Sequence, residues 1–438
     1  MAFKIEAFQN RYLSPGQTRV DAILQVTAPE GASAKAGQLV VGFIVDKSGS
    51  MSGDRIEGVK NAVWRAISLL DERAWFFVVA FDSSAQVVVR ELQATEANKQ
   101  SAGTALSALT AGGGTAMSTG LSAARQIFLR APNAIRQAVF LTDGKNESEQ
   151  SSSVAQELGD CEGVFQCDCW GVGTDWRVGE VQEIARELLG KASLVPDPAG
   201  IDLAFRDAMA KASSKALRDV RLRLWTPQGA EVVFVKQVNP TIEEMTQKAK
   251  VVSAQVKEYS TGAWAGGEAR DFHVAVDVKP GKVQDEMLAA RPSIAYQATD
   301  PSKPDGWIDH EDKPAGARLF ANWTAEDTLS SRIDDHVAHY TGQGELAKAI
   351  SRGLEEREKG NDAAATQLLG RAVQIAHASN NADMTQRLAK VVEVMDPTAG
   401  TVRLKRDVKK AATMDLELES RTTKRVARGG GSPGGAGA

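Results

Sequence analysis

LVVGFIVDKSGSM, residues 39–51, is the stretch on which the reading of this chain turns. Its first eight residues form an unbroken apolar run, the pattern of a strand buried on both faces of a parallel sheet rather than one with a wet side. The run stops at Asp46, and the next residues place Ser48 and Ser50 in a D-x-S-x-S arrangement immediately before a helical pattern. In open α/β sheets the carboxyl ends of the strands are where ligands collect.

Outward from this stretch, residues 53–70 put Ile56, Val59, Val63, Ala66, Ile67 and Leu70 on one helical face. WFFVVAF (75–81), RQAVFLTD (136–143), FQCDCWGVG (165–173) and ASLVPD (192–197) read as further strands. AQVVVR (85–90) follows a tight turn and reads as an antiparallel edge strand. Helical patterns cover 118–131, 178–189 and 201–217. Strands alternating with helices imply a doubly wound α/β domain with a mainly parallel sheet, here over residues 38–217.

From 218 to 323 the apolar period changes to two. Val220, Leu222 and Leu224 alternate with arginines, and Phe272, Val274, Val276 and Val278 alternate with His273 and Asp277. This predicts an antiparallel sheet with one wet face, and TPQGA and KPG read as its turns. Residues 1–37 contain the strand-like VDAILQVTA (20–28) but are too short for a core of their own. They are expected to complete the sheet, so that the α/β domain is inserted in a β-sandwich. Residues 298–316 read as loop. Residues 324–397 read as a helical hairpin (344–361 and 362–381) with a third helix over 382–395. Residues 398–438 read as an extension with a disordered Gly-rich tail.

Two more segments join Asp46, Ser48 and Ser50. GGGTAM (112–117) presents Thr115 after a glycine run, and LTDG (141–144) presents Asp143 at a strand end. Brought together, the five residues offer carboxylate and hydroxyl oxygens, hard donors suited to Mg²⁺, with Mn²⁺ or Ca²⁺ as substitutes. Hydroxyls filling much of the inner shell leave the ion electron-poor. An acidic side chain from another protein is then the strongest available additional ligand.

In order and spacing these residues resemble the metal site of the von Willebrand factor type A family, which uses DxSxS, then a threonine, then an aspartate. All five positions match here. The resemblance covers residues 38–217 and implies divalent-metal-dependent capture of an Asp or Glu of a partner protein, with a last helix that shifts on binding. The wider arrangement resembles the trunk region of vesicle-coat proteins and uncharacterised cytosolic bacterial type A proteins.

The chain of 438 residues carries a net charge of −4, which argues against nucleic acid as partner. No apolar run approaches the roughly 18 residues of a spanning helix, and no basic start precedes an apolar stretch, so a cytoplasmic location is expected. The three cysteines agree with a reducing compartment. Cys161, Cys167 and Cys169 lack a fourth zinc ligand, and His336 and His339 lack further partners, so both sets read as structural. Asp54, Arg55 and Glu57 either border the ligand surface or favour a helix dipole. Trp170 and Trp176 read as core residues, and KRVAR (424–428) as a solvated tail. There is no phosphate-binding G-x-x-x-x-G-K-[ST], no G-x-S-x-G elbow between a strand and a helix, and no H-E-x-x-H pair. The expectation is therefore a binding or scaffold protein without a catalytic site. The alternatives are a regulatory subunit of an ATPase or a kinase or phosphatase assembly and, behind it, a Mg²⁺-dependent hydrolase.

Overall fold

The computed structural model describes residues 2–30, 38–195, 201–299, 307–313 and 316–426. The chain opens with strands β1 (Lys4–Gln9), β2 (Tyr12–Leu13) and β3 (Arg19–Thr27). An α/β region follows: β4 (Leu39–Asp46), α1 (Asp54–Ser68), β5 (Trp75–Phe81), β6 (Ala85–Gln93), α2 (Glu96–Ser107), α3 (Met117–Phe128), β7 (Ile135–Thr142), α4 (Ser151–Cys161), β8 (Gln166–Val172), α5 (Val178–Glu187), β9 (Ala192–Val195) and α6 (Ile201–Ser214).

Its strands form one sheet in the order β6-β5-β4-β7-β8-β9. Every pairing is parallel except that of the edge strand β6 with β5. The unbroken apolar run of β4 now has its reason. Val41, Phe43 and Val45 pack into the core beneath α1 and α2, while Val40 and Ile44 pack into the opposite core beneath α3, α4 and α5. Gly42 is required between them, because a Cβ there would lie 2.4 Å from the Phe77 ring and 2.8 Å from that of Phe128.

The helix expected over 201–217 ends at Ser214, and the chain passes directly into β10 (Lys215–Trp225), where Lys215 already pairs with Ala265. The strands that follow are β11 (Glu231–Asn239), β12 (Glu243–Glu244), β13 (Lys250–Ser253), β14 (Val256–Ala265), β15 (Ala269–Asp277), β16 (Glu286–Thr299), β17 (Trp307–Asp312) and β18 (Leu319–Trp323). They build two sheets, β1-β3-β15-β11-β12 and β13-β14-β10-β16-β18-β2. Strands from before and after the α/β region thus share sheets. Their facing sides enclose one core around Leu24, Leu222, Tyr259, Trp264, Phe272 and Trp323.

Two expectations fail here. Part of the stretch read as loop is strand β17, which pairs with β16. The outer face of β1 and β3 is also not wet, because α8 (Asp335–Glu358), after a short α7 (Asp327–Ser330), lies over it, and Tyr340 of α8 reaches Asp271 of β15. Val337 and Tyr340 pack with Ile23 and Val238. His273 is only 9% exposed and sits 3.1 Å from Asp21.

The remaining elements are α9 (Asp362–Ala378), α10 (Ala382–Val391), β19 (Val392–Asp396), β20 (Thr401–Leu404) and α11 (Lys410–Glu419). The third helix is therefore shorter than expected, since Val392 leaves it for a hairpin with β20. Much of the supposed extension is folded. In α11, Leu416 joins the helical core, whereas Met414 and Leu418 join the core of the α/β region. Lys424 and Arg425 are not a solvated tail, because they pair with Asp383 and with the fully buried Asp271. The Gly-rich tail lies outside the described residues from 427 on. Among the described residues no helix is long and apolar enough to cross a membrane.

Candidate metal centre

Three chain segments meet at the carboxyl end of the parallel sheet because β4 lies between β5 and β7. Asp46 is the last residue of β4, and its backbone enters the loop held at Lys47 by the Phe81 carbonyl. The glycine loop is fastened to this turn from both sides: Gly112 N–H donates to Lys47 O at 2.7 Å and Gly49 N–H to Gly113 O at 3.0 Å. Thr115 is fixed by the segment after β7. Its N–H donates to Ser148 Oγ at 2.8 Å, and Ser148 N–H donates to its carbonyl at 3.0 Å. Asn146 and Glu149 from that same segment accept from Met117 N–H and Ser118 N–H, satisfying the otherwise orphaned start of α3.

The side chains form one network. Ser48 N–H donates to Asp46 Oδ1 at 2.8 Å, the Ser48 and Ser50 hydroxyls are 3.1 Å apart, and Ser50 Oγ donates to Asp143 Oδ1 at 2.7 Å. Asp46 and Asp143 are fully buried, and Ser48 and Thr115 nearly so; Ser50 is exposed at the mouth. Gly144 reports the convergence. A Cβ built on it would lie 3.3 Å from both Ser50 Oγ and Thr115 Oγ1 and 3.8 Å from Asp46 Oδ2. Oxygens of the Asp46–Ser50 turn and of Thr115 thus face the third segment at Gly144, and Asp143 joins them through the Ser50 hydroxyl. Every donor is a hydroxyl or carboxylate, a set that fits a hard divalent cation.

Burial pushes the Asp46 carboxyl up to about 6, against the lowering effect of its bonds from Ser48 and Thr142; the neighbouring Asp143 charge raises it further. A carboxylate so poorly compensated is one that a cation would stabilise.

Two participants were not legible beforehand. Thr142 Oγ1 donates to Asp46 Oδ2 at 2.6 Å, orienting the carboxylate from the neighbouring strand. The signal was a hydroxyl residue directly before Asp143, but it reads equally well as an ordinary strand residue. Lys47 pairs with Asp82 beside the glycine loop. Arg55, left open in the sequence, reaches Asp143 at 2.6 Å and Asp175 at 2.9 Å, so it borders the centre. The bond to Asp143 raises its already high pKa.

The remaining candidates do not assemble. His336 stacks on Phe8 at 3.6 Å, while His339 bonds the Lys424 carbonyl. Cys161, Cys167 and Cys169 are free and buried, and burial drives the Cys161 and Cys167 thiols upward. Trp170 and Trp176 are core residues, 4% and 2% exposed. Among the described residues no group of three His, Cys, Asp or Glu is placed to hold a metal. The centre at Asp46 depends on hydroxyls.

An open, nearly all-parallel sheet covered by helices on both faces defines a doubly wound α/β domain. Residues 39–194 match the von Willebrand factor type A domain, and residues 374–420 match the von Willebrand factor type A C-terminal domain. The structure of a von Willebrand factor type A protein from Catenulispora acidiphila is similar over 97% of both chains, at 38% identity and a TM-score of 0.88. The VWA2 paralog of ArnB from Sulfolobus acidocaldarius shares the fold over 96% of this chain and 99% of its own (16% identity, TM-score 0.60). The chain belongs to the von Willebrand factor type A family. Among curated proteins, the uncharacterised sll0103 of Synechocystis is 29% identical over 210 residues, 47% of this chain. This chain spans about half (49%) of that relative's length.

Proposed function

We propose that this protein binds a divalent cation, Mg²⁺ foremost, through Asp46, Ser48, Ser50, Thr115 and Asp143, and uses it to capture an Asp or Glu of a partner protein. The observation that carries this reading is the convergence of Asp46, Ser50 and Thr115 oxygens on Gly144, with Asp143 bonded to the Ser50 hydroxyl. The Ser48, Ser50 and Thr115 hydroxyls are the neutral donors. Asp143 already accepts the Ser50 hydroxyl and so acts partly through a donor it orients, while Asp46 is itself oriented by the Thr142 hydroxyl. The bound ion supplies a Lewis-acidic centre whose positive charge the neutral hydroxyls leave largely intact, which favours a carboxylate ligand.

The role is binding rather than catalysis, as a cytoplasmic scaffold in a bacterium. The Ser50 hydroxyl and the buried Asp143 carboxylate are committed to each other, and Thr142 to Asp46, which supports holding an ion over activating a nucleophile. The helical region supports it as a fixed frame, since α11 contributes side chains both to its own core and to that of the α/β region. Calorimetric titration of the full chain with Mg²⁺ and Mn²⁺ tests the site. One binding site is expected, lost in Asp46→Ala/Ser48→Ala; heat from the double variant equal to that of the wild type would refute the assignment.

A further inference from the structure

A cleft of about 740 Å³ opens at the other end of the six-stranded sheet, between the α/β region and the sandwich. Arg136, near the start of β7, lies seven residues before Asp143, so the cleft is roughly 20 Å from the metal centre at the usual strand rise. Its volume is that of a small-molecule site.

The charges are unevenly committed. Arg221 is held by Asp219 at 2.7 Å and Glu258 at 3.3 Å, and Lys248 by Glu187 at 3.0 Å. Arg136 is half-buried and donates to the Gly163 carbonyl at 3.2 Å, with no carboxylate in ion-pair range among the described residues. Burial lowers its pKa, with Asp219 acting in the opposite sense from further off. Lys250, on the sandwich side, is exposed and likewise has no ion pair among the described residues. Glu162 is exposed at the rim and offsets one of these two charges.

Backbone strain gathers at the same place. Leu189 and Asp219 line the cleft with φ of 54° and 47°, two of the four non-glycine residues with positive φ among those described. A leucine in this region is disfavoured, and such strain persists where surrounding structure holds it, commonly at ligand sites. The register of β10 also shifts on either side of Asp219, between Leu217 and Val220 and again before Arg221, an irregularity of the kind that re-aims side chains beside sites.

We propose that this cleft is a second ligand site, independent of the metal, for a small amphipathic organic anion: one acidic group on Arg136, steered by Lys250, and an apolar body against Phe165, Leu189 and Ala249. A half-buried guanidinium without a carboxylate partner is a strong donor to such a group, and both regions of the protein would contact the ligand.

The test is fluorescence titration of the full chain in EDTA with 1-anilinonaphthalene-8-sulfonate, an amphipathic monoanion, beside its uncharged analogue N-phenyl-1-naphthylamine. Saturable one-to-one binding of the sulfonate is expected, weakened about tenfold by Arg136→Gln and about threefold by the exposed Lys250→Glu, and unchanged in Asp46→Ala/Ser48→Ala. No saturable binding, equal binding of the uncharged dye, or wild-type affinity in both Arg136→Gln and Lys250→Glu would each overturn the proposal. Lys250→Glu decides the matter if Arg136→Gln fails to fold.

Discussion

The two ends of the six-stranded sheet are built in opposite ways. At the carboxyl end, five oxygen-bearing residues come from three short motifs: adjacency of β4 and β7 brings two of them together, and backbone bonds of the glycine loop to Lys47 and Gly49 add the third. At the amino end, the cleft takes Arg136, Leu189, Asp219 and Lys250 from four separate places in two regions, and only the docking of the sandwich makes them neighbours. The first end collects buried carboxylates, the second uncommitted cations. A site encoded by local motifs is visible before folding; one encoded by packing between regions is not.

The comparison breaks if the two ends are not independent, and the largest effect tests this first. Asp46→Ala/Ser48→Ala is expected to abolish calorimetric Mg²⁺ binding, a loss of at least about 100-fold, while leaving the far end of the sheet untouched. Next in size is Leu418→Ala. Leu418 is 5% exposed in the core that α11 shares with the α/β region, so truncation should cost about 2–4 kcal/mol in denaturant unfolding without shifting Mg²⁺ affinity in the folded protein.

The third prediction concerns pH. Asp46 has a folded pKa near 6, above its ordinary 3.8, so the native state holds the extra proton between those values. Metal-free stability should therefore fall as pH rises from about 4 to 6, by at most about 3 kcal/mol, and stay lowered above 6. Mg²⁺ should restore it at pH 7, and Mg²⁺ affinity should decline below pH 6 with uptake of one proton. Thermal unfolding with and without Mg²⁺ at pH 4.5 and 7 reads both signs. The smallest effect is Thr142→Val, which removes the hydroxyl that orients Asp46 and should weaken Mg²⁺ about tenfold in the same calorimetry.

The α/β sheet was legible because its strands are buried on both faces and end in polar motifs; LVVGFIVD is a strand by composition alone. The sandwich strands were legible where one side faces the core, as with Val220, Leu222 and Leu224. Legibility failed where a face is covered by something distant in sequence. The outer side of β3 looks wet until α8 is laid on it, and nothing near Asp271 announces Tyr340. It failed again in α11, whose buried Met414, Leu416 and Leu418 repeat every second residue because the helix serves two cores on different sides. No single helical face exists there for a periodicity argument to find. Strand β17 is polar in sequence, and its strand character comes from pairing with β16. At the candidate metal centre the motifs could be read as segments, whereas partners such as Thr142 and Lys47 could not, because a lone hydroxyl or lysine carries no pattern.

The most direct measurement is a tagged pull-down of the full chain from native lysate in Mg²⁺, beside samples in EDTA and with Asp46→Ala/Ser48→Ala. Metal-dependent capture predicts a protein retained only by the wild type in Mg²⁺ and released by substituting one of that protein's surface Asp or Glu residues. A partner retained equally in all three samples would contradict it and move the binding surface away from the carboxyl end of the sheet.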